Sequence, residues 1–290
     1  MKEIVVISGK GGTGKTSLTA SFACLEGRDV VVADCDVDAA DMHLLMQPDF
    51  KVTEEFYSGE LARINQDECI KCGKCDEVCR FNAISVIKGE YIVNPLDCEG
   101  CGYCVRICAS SAISNEKLMA GEWFLSSIKT GGLMVHARLG IGADNSGKLV
   151  AKVKKEARNM AARNGNGLII IDGPPGIGCP VISSISGADF AVLVTEPTIS
   201  GLHDLKRAYE LVKKFNIRAG CIINKSDLNI RTTQEIEDFL KAEDILHISS
   251  LPYDEIFTES MTYGKAVIEY TNNDMTGMIK DSWHKIKQIL

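Results

Sequence analysis

Glu3-Ile4-Val5-Val6-Ile7-Ser8 runs directly into Gly9-Lys10-Gly11-Gly12-Thr13-Gly14-Lys15-Thr16, and the architecture is set at this junction. The apolar run predicts a buried strand, the glycines a tight turn, and the segment from about Lys15 to Leu25 a helix. A G-x-x-x-x-G-K-T loop between strand and helix is a phosphate cradle. Its glycines let backbone N–H groups face phosphate oxygens, and the helix N-terminus adds a favourable dipole. Gly11, Gly12, Thr13 and Gly14 form the cradle, Lys15 reaches the β/γ-phosphates, Thr16 ligates Mg²⁺ and Ser17 assists at the α-phosphate.

Working outward, Gly27 stops the helix and Asp29 to Asp34 reads as the next strand, a βαβ opening. The same rhythm returns later. Helices are predicted over 148–163, 202–215, 232–242 and 274–289, with strands over 167–172, 190–195 and 219–224. Near-continuous apolar strands alternating with helices predict an α/β P-loop NTPase fold, a mostly parallel sheet flanked by helices.

Two acidic segments belong to the phosphate site. Asp34, Asp36 and Asp38 follow the second strand, and mutual repulsion excludes three dry, unpaired carboxylates. At least one is expected to serve Mg²⁺ or position a water, the others being solvated loop acids. Leu168 to Asp172 ends in an acid followed by Gly173-Pro174-Pro175-Gly176. Asp172 is placed to accept from Mg²⁺-bound water or Thr16, with the Gly176 N–H facing the γ-phosphate.

Between about Leu61 and Asn115 the βα rhythm is replaced by closely spaced cysteines and short turns. The expected division is therefore an ATPase domain over 1–60 and 116–290, interrupted by an insertion over 61–115. Cys69, Cys72, Cys75 and Cys79 recur 29 residues later as Cys98, Cys101, Cys104 and Cys108, and Ala83-Ile84 recurs as Ala112-Ile113. C-x2-C-x2-C-x3-C offers four soft thiolates at a spacing suited to a 4Fe-4S cube. Structural zinc is the alternative, although zinc sites ordinarily use C-x2-C pairs. The doubled motif resembles bacterial two-cluster ferredoxins, an α+β fold in which ligation crosses between repeats. That resemblance implies one cluster on Cys69, Cys72, Cys75 and Cys108, and a second on Cys98, Cys101, Cys104 and Cys79. The proline usual after each fourth cysteine is here Arg80 or Ala109.

The chain as a whole resembles the deviant Walker A ATPases, and more narrowly MinD-superfamily ATPases carrying an inserted two-cluster ferredoxin domain. The resemblance rests on Lys10 within Gly9-Lys10-Gly11-Gly12, on Asp34-Cys35-Asp36, and on Asp172 to Gly176. It implies that Lys10 contacts phosphate in an opposing subunit, that Asp36 positions the attacking water, and that Asp36 and Asp172 serve Mg²⁺ directly or through water. It further implies that Asn224 of Asn224-Lys225 recognises adenine and that Pro252 lies in the loop packing on the base. Asp41-Met42 departs from the family's usual Asn-Leu.

The implied function is ATP hydrolysis coupled, through nucleotide-dependent dimerisation with itself or a similar ATPase, to electron transfer toward a redox partner. Cluster assembly or insertion into a metalloprotein client is the alternative, and a redox-sensing regulatory ATPase a third. A formal charge of −7 offers no broad basic field, which argues against nucleic acid. The absence of a long apolar stretch or a signal-peptide cleavage region predicts a cytoplasmic protein without stable membrane insertion. Cys24, Cys35 and Cys221 are expected to pack in the core, and Cys179 to stand near the switch segment. None of the five histidines belongs to a ligand or triad pattern, and Trp123-Phe124 reads as packing.

Overall fold

The computed structural model describes residues 1–140, 142–143 and 145–290. The elements in chain order are β1 (Lys2–Ser8), α1 (Lys15–Glu26), β2 (Val30–Asp34), α2 (Met42–Met46), β3 (Val52–Ile64), α3 (Lys74–Glu77), β4 (Ile84–Ile87), β5 (Glu90–Val93) and α4 (Tyr103–Ile107). They continue with β6 (Ile113–Ser127), β7 (Leu133–Leu139), α5 (Ser146–Asn164), β8 (Leu168–Pro175), α6 (Cys179–Ile185), β9 (Phe190–Thr195), α7 (Ile199–Lys214) and β10 (Arg218–Ile223). The last elements are α8 (Ile230–Ala242), β11 (Leu246–Ser250), α9 (Ile256–Thr262), α10 (Val267–Tyr270) and α11 (Asp274–Ile289). No helix among the described residues is long and apolar enough to cross a membrane.

The chain divides into two compact units. The first comprises Met1–Glu54, Trp123–Arg138 and Ser146–Leu290, and the second Glu55–Glu122 with Leu139–Asn145. The second unit is wider than the cysteine-dense stretch 61–115. The long strands β3 and β6 each run from one unit into the other, and no composition change marks the crossing.

In the first unit the strand order is β11-β10-β9-β1-β8-β2-β7, continued by β6 and β3. The pairs β1 with β8 and β9, β2 with β7 and β8, and β10 with β9 and β11 are all parallel. Ile4, Val5, Val6 and Ile7 of β1 and Val30, Val31 and Val32 of β2 are fully buried, as strands covered on both faces must be. Phe22 of α1 stacks on Trp283 of α11 with centroids 4.9 Å apart, and the indole N–H donates to Glu26 at 2.8 Å. This contact fastens the C-terminal helix to the helix that follows the glycine loop. The expected helices and strands of this unit lie within a few residues of their predicted spans. The short elements α2, α6, α9, α10 and β11 had no periodic signal of their own.

The second unit is built as two copies of one motif, 29 residues apart. Gly73 and Gly102 precede α3 and α4 in the left-handed region, and Lys71 and Gly100, then Asn82 and Ser111, share that region pairwise. The copies exchange backbone bonds. The Asn65 N–H donates to the Ala112 carbonyl at 2.8 Å and the Asn94 N–H to the Ala83 carbonyl at 2.6 Å, again offset by 29. Each asparagine side chain then accepts from the N–H two residues on, both at 3.1 Å. The core is small: Ala62, Cys75, Ile84 and Ile113 are buried, with four more cysteines and a few apolar residues packed around them. A core this size supplies little apolar stabilisation by itself.

Gly100 and Gly89 both have positive φ, at 60° and 81°. A Cβ on Gly100 would lie 2.1 Å from the Glu60 carbonyl oxygen, whereas one on Gly89 would meet nothing within 4 Å. Gly89→Ala should therefore cost about 1 kcal/mol of left-handed strain, and Gly100→Ala roughly 3 kcal/mol. Thermal melts by circular dichroism, with limited proteolysis mapped to residues 55–122, check the difference. Equal losses would contradict it.

Candidate nucleotide and thiolate sites

The glycine loop leaves β1 and enters α1 through Gly14, whose φ of 88° only glycine adopts freely. Gly9 is required for space, since a Cβ there would lie 2.4 Å from the Cβ of Asp204 on α7. The loop walls a cavity of about 300 Å³ lined by Ser8, Gly11 through Ser17, Asp36, Ala39, Asp41, Pro175 and Met261. Its size is that of a small-molecule site.

Sheet register assembles the acids. Asp34 at the end of β2 stands in register with Asp172 on β8. Lys15, 6% exposed, pairs through Nζ with Asp172 at 2.9 Å and with Asp36 at 3.7 Å. The Thr16 and Thr19 hydroxyls donate to the two Asp172 oxygens at 2.8 and 3.0 Å. Burial works to depress the Lys15 pKa, but Asp172 and Asp36 outweigh it and the lysine is held charged. Asp34 is almost fully buried. Burial first, and Asp172 next, push its pKa well above the usual carboxylate range. One Asp34 oxygen accepts from the Asp36 N–H at 3.1 Å, while Oδ2 and the buried Thr13 hydroxyl have no protein partner.

Three acids thus face one lysine. A hard dication with oxygen ligands suits that donor set, and the orphaned Asp34 and Thr13 oxygens fit a bound Mg²⁺–nucleotide. Thr16, Asp36 and Asp172 are together as expected. Asp34, one of the three clustered acids, joins them through its pairing with Asp172, and Thr19, which carries no motif signal, joins them one helical turn beyond Lys15.

Other expected residues are differently engaged. The Gly176 N–H donates to the Ser8 carbonyl at 2.9 Å, extending the β1–β8 ladder instead of facing the cavity. Asn224 is buried. Its Nδ2 donates to the Thr13 carbonyl at 2.9 Å and its Oδ1 accepts from the Lys225 N–H, so it braces the loop. Pro252 lies just past β11, outside the cavity lining. Met261 of α9 lines the cavity, and Phe257 of the same helix lies beside Gly14; neither was legible as a site residue. Lys10 is turned onto Glu196 of its own chain.

In the second unit, Cys69, Cys72, Cys75 and Cys108 line one cavity, with Ile70, Gly73, Tyr91 and Ile113 among its other walls. Cys79, Cys98, Cys101 and Cys104 line another, with Phe81, Ala83, Ile84 and Gly102. All twelve cysteines are free. No three His, Cys, Asp or Glu side chains among the described residues converge as a single metal ion requires. A tetrahedral zinc would draw its thiolates to about 2.3 Å from one point, whereas a cluster takes each thiolate on a separate iron. The donors and their apolar walls are of the kind a cluster takes. Burial raises the Cys75 and Cys104 thiols. At Cys108 burial also pushes up, but the Ser110 hydroxyl and backbone N–H groups of Ala112, Ser110 and Ile113 outweigh it and favour the thiolate.

Cys35 and Cys221 are fully buried, and burial raises both thiols; the same cause brings Cys24 to about 12. Cys179 is exposed at the start of α6. His136 is buried against Phe124 and bonded to the Ser126 hydroxyl at 3.0 Å, a packing role.

Asp36 carries a pH signature. Burial first, against the opposing pull of Lys15, brings its pKa to about 6 from 3.8. A raised acid pKa contributes stability that is present below the unfolded value and lost as pH rises through the folded one. Nucleotide-free protein should therefore lose roughly 1–2 kcal/mol between pH 4 and 6 from this group, allowing for its partial solvent screening. Asp36→Asn should match wild type near pH 4 and exceed it above pH 6 in urea unfolding. A constant difference across that range would refute this.

Comparison with known proteins agrees with this geometry. Residues 4–267 match the family model described as the CobQ/CobB/MinD/ParA nucleotide binding domain. An uncharacterized protein of Methanocaldococcus jannaschii is 37% identical over 291 residues, covering 99% of this chain and 97% of its own. The septum site-determining protein MinD of Pyrococcus horikoshii, solved with Mg-ADP, superposes with a TM-score of 0.59 at 19% identity, covering 99% of this chain and 96% of that one. The cell division ATPase MinD of Pyrococcus furiosus gives 0.61 at 20% identity, covering 100% and 99%. With its phosphate loop, parallel sheet and acid cluster, the chain belongs to the CobQ/CobB/MinD/ParA family of nucleotide-binding proteins.

Proposed function

We propose that this chain is an ATP-hydrolysing iron–sulfur protein in which nucleotide-dependent dimerisation gates electron transfer through two 4Fe-4S clusters. The observation that carries it is the sorting of the eight repeat cysteines into two cavity walls, each with three thiols from one repeat and one from the other. That exchange is what the crossed ligation of a two-cluster ferredoxin requires. Such clusters accept and donate single electrons when bound. The backbone N–H groups around Gly73 and Gly102, left-handed in both repeats, would donate to a bound cluster and tune its potential.

At the nucleotide, loop N–H groups and Lys15 bind the phosphates, while Thr16, Asp34 and Asp172 hold Mg²⁺ and its waters. Asp172 accepts from Lys15, Thr16 and Thr19 in the nucleotide-free chain. Lys15 therefore exchanges a carboxylate for a phosphate when ATP enters, and Asp172 becomes available to the cation. Asp36 orients the attacking water, and Lys10 reaches the partner's phosphate. Asn224 and Lys225 brace the loop through the Thr13 and Gly12 carbonyls, and ATP is the preferred nucleotide. The MinD proteins of similar fold, one of them solved with Mg-ADP, support the nucleotide half. The acidic formal charge of −7 and the free thiols suit a cytoplasmic protein working on a redox partner rather than on nucleic acid.

Anaerobically purified protein should contain two four-iron clusters, and fewer than about seven irons per chain would sink the two-cluster assignment. Paramagnetic resonance with stopped-flow reduction should show rapid, reversible reduction that gates transfer to an acceptor only with Mg·ATP. Release of intact clusters to an apo-protein would instead identify an assembly factor. Lys15→Ala should abolish detectable nucleotide binding by calorimetry, a loss of at least about 100-fold, because a charge-assisted phosphate contact disappears while Asp172 stays unpaired. Retained affinity would overturn the phosphate assignment.

A further inference from the structure

Lys10 has three side-chain partners among the described residues. Its Nζ lies 2.7 Å from Glu196 Oε1 and donates to the Thr198 and Ser200 hydroxyls, each at 3.0 Å. The other carboxylate oxygen, Oε2, accepts from Lys225 Nζ at 2.8 Å, and Lys225 Nζ donates also to the Gly12 carbonyl at 3.0 Å. One carboxylate therefore joins the glycine loop to the Asn224-Lys225 segment.

Sheet register produces the arrangement. Ile7 of β1 pairs with Leu193 of β9, and Thr195 of β9 pairs with Ile223 of β10. Lys10 and Glu196 each stand three residues beyond the first pair, and Lys225 two residues beyond Ile223. The three side chains meet where neighbouring parallel strands end. Glu196 is also needed electrostatically. Thr198 caps the N-terminus of α7, accepting from the Gly201 N–H at 2.9 Å, and the positive end of that helix dipole opposes an ammonium. Two neutral hydroxyls do not offset this, whereas a carboxylate does. Burial would raise the Glu196 pKa, but its bonds from Lys10 and Lys225 outweigh burial and keep it ionised.

We propose that Glu196 is a positioning residue for Lys10: in the nucleotide-free monomer it latches the lysine inward, and breaking that latch is the step that frees Lys10 for an opposing subunit. Lys225 makes the release feasible, because Glu196 stays paired after Lys10 departs and no partly buried carboxylate is left alone. ATP phosphates compete with Glu196 for the same ammonium. The latch rests on the reading of Lys10 as the lysine that crosses between subunits, and it adds what holds that lysine beforehand.

The test uses the full chain without nucleotide, labelled with an amine-acetylating ester and read by mass spectrometry. Glu196→Gln should raise the labelling rate of Lys10 about fivefold, with the exposed Lys214 as internal reference and buried Lys15 still protected. Unchanged Lys10 labelling overturns the latch, as does an equal rise at Lys15, which would mean general loosening of the loop. With Mg²⁺ and a non-hydrolysable ATP analogue, Glu196→Gln should associate in sedimentation at about tenfold lower protein concentration than wild type, and adding Lys10→Ala should erase the gain. If Lys10 is freed but both proteins stay monomeric, release across subunits fails together with the dimer reading. Weaker association of Glu196→Gln than of wild type overturns the latch while leaving the dimer intact.

Discussion

One buried ammonium holds the nucleotide half of this protein together. Among the described residues Lys15 is the cation that faces Asp34, Asp36 and Asp172, and an uncompensated carboxylate in such surroundings is costly. The lysine cannot compensate all three. Asp172 takes it, with two threonine hydroxyls on its oxygens; Asp36 is partly screened by solvent; Asp34 is pushed toward its neutral form. The site is therefore in balance without a ligand but short of positive charge. A cation arriving with phosphate supplies that charge while the phosphate draws Lys15 away. Binding and rearrangement are then one event, because the same ammonium cannot serve Asp172 and a phosphate equally.

Much of this was legible in the sequence, and what was legible was local. Gly9 through Thr16 announces itself because the chemistry of a phosphate cradle lies in consecutive backbone groups. Asp172 was found because it ends a strand and precedes a glycine turn. Thr19 and Glu196 were not singled out, and Asp34 was named only as one of three clustered acids without a role of its own. Asp34 matters because β2 lies beside β8, Thr19 because one helical turn puts it over Lys15, and Glu196 because β9 lies beside β1. Periodicity predicts strands, but it does not tell which strands are neighbours. Asn224 shows the converse limit. It was expected to recognise adenine, yet its amide bonds to Thr13 and Lys225, a use no spacing rule reveals.

The cysteine-rich unit was legible for a different reason. Its information is duplicated, so every position can be checked against a copy 29 residues away. Left-handed residues, exchanged backbone bonds and buried Ala-Ile pairs all recur at that offset. Its boundaries were less legible than its repeat, because β3 and β6 pass from one unit to the other with unbroken strand character. The unit has few apolar residues to bury, and its thiols occupy positions that aliphatic side chains hold in an ordinary core. Soft ligands in place of a core make sense if a bound group completes the interior, since binding energy then becomes folding energy.

Both units follow the same physical logic by different means. At the glycine loop, acids in excess of cations leave room for a dication. Around the two cysteine-lined cavities, thiols stand where an ordinary core has aliphatic side chains. Lys10 fits this pattern as well. Its position beside a helix N-terminus is unfavourable for a cation, and Glu196, which it shares with Lys225, offsets that cost. A lysine held by compensation rather than by burial can leave without exposing a hidden charge. That separates Lys10 from Lys15 five residues along the same motif: burial and three acids fix Lys15 to its own chain, whereas Lys10 is poised to exchange one anionic partner for another.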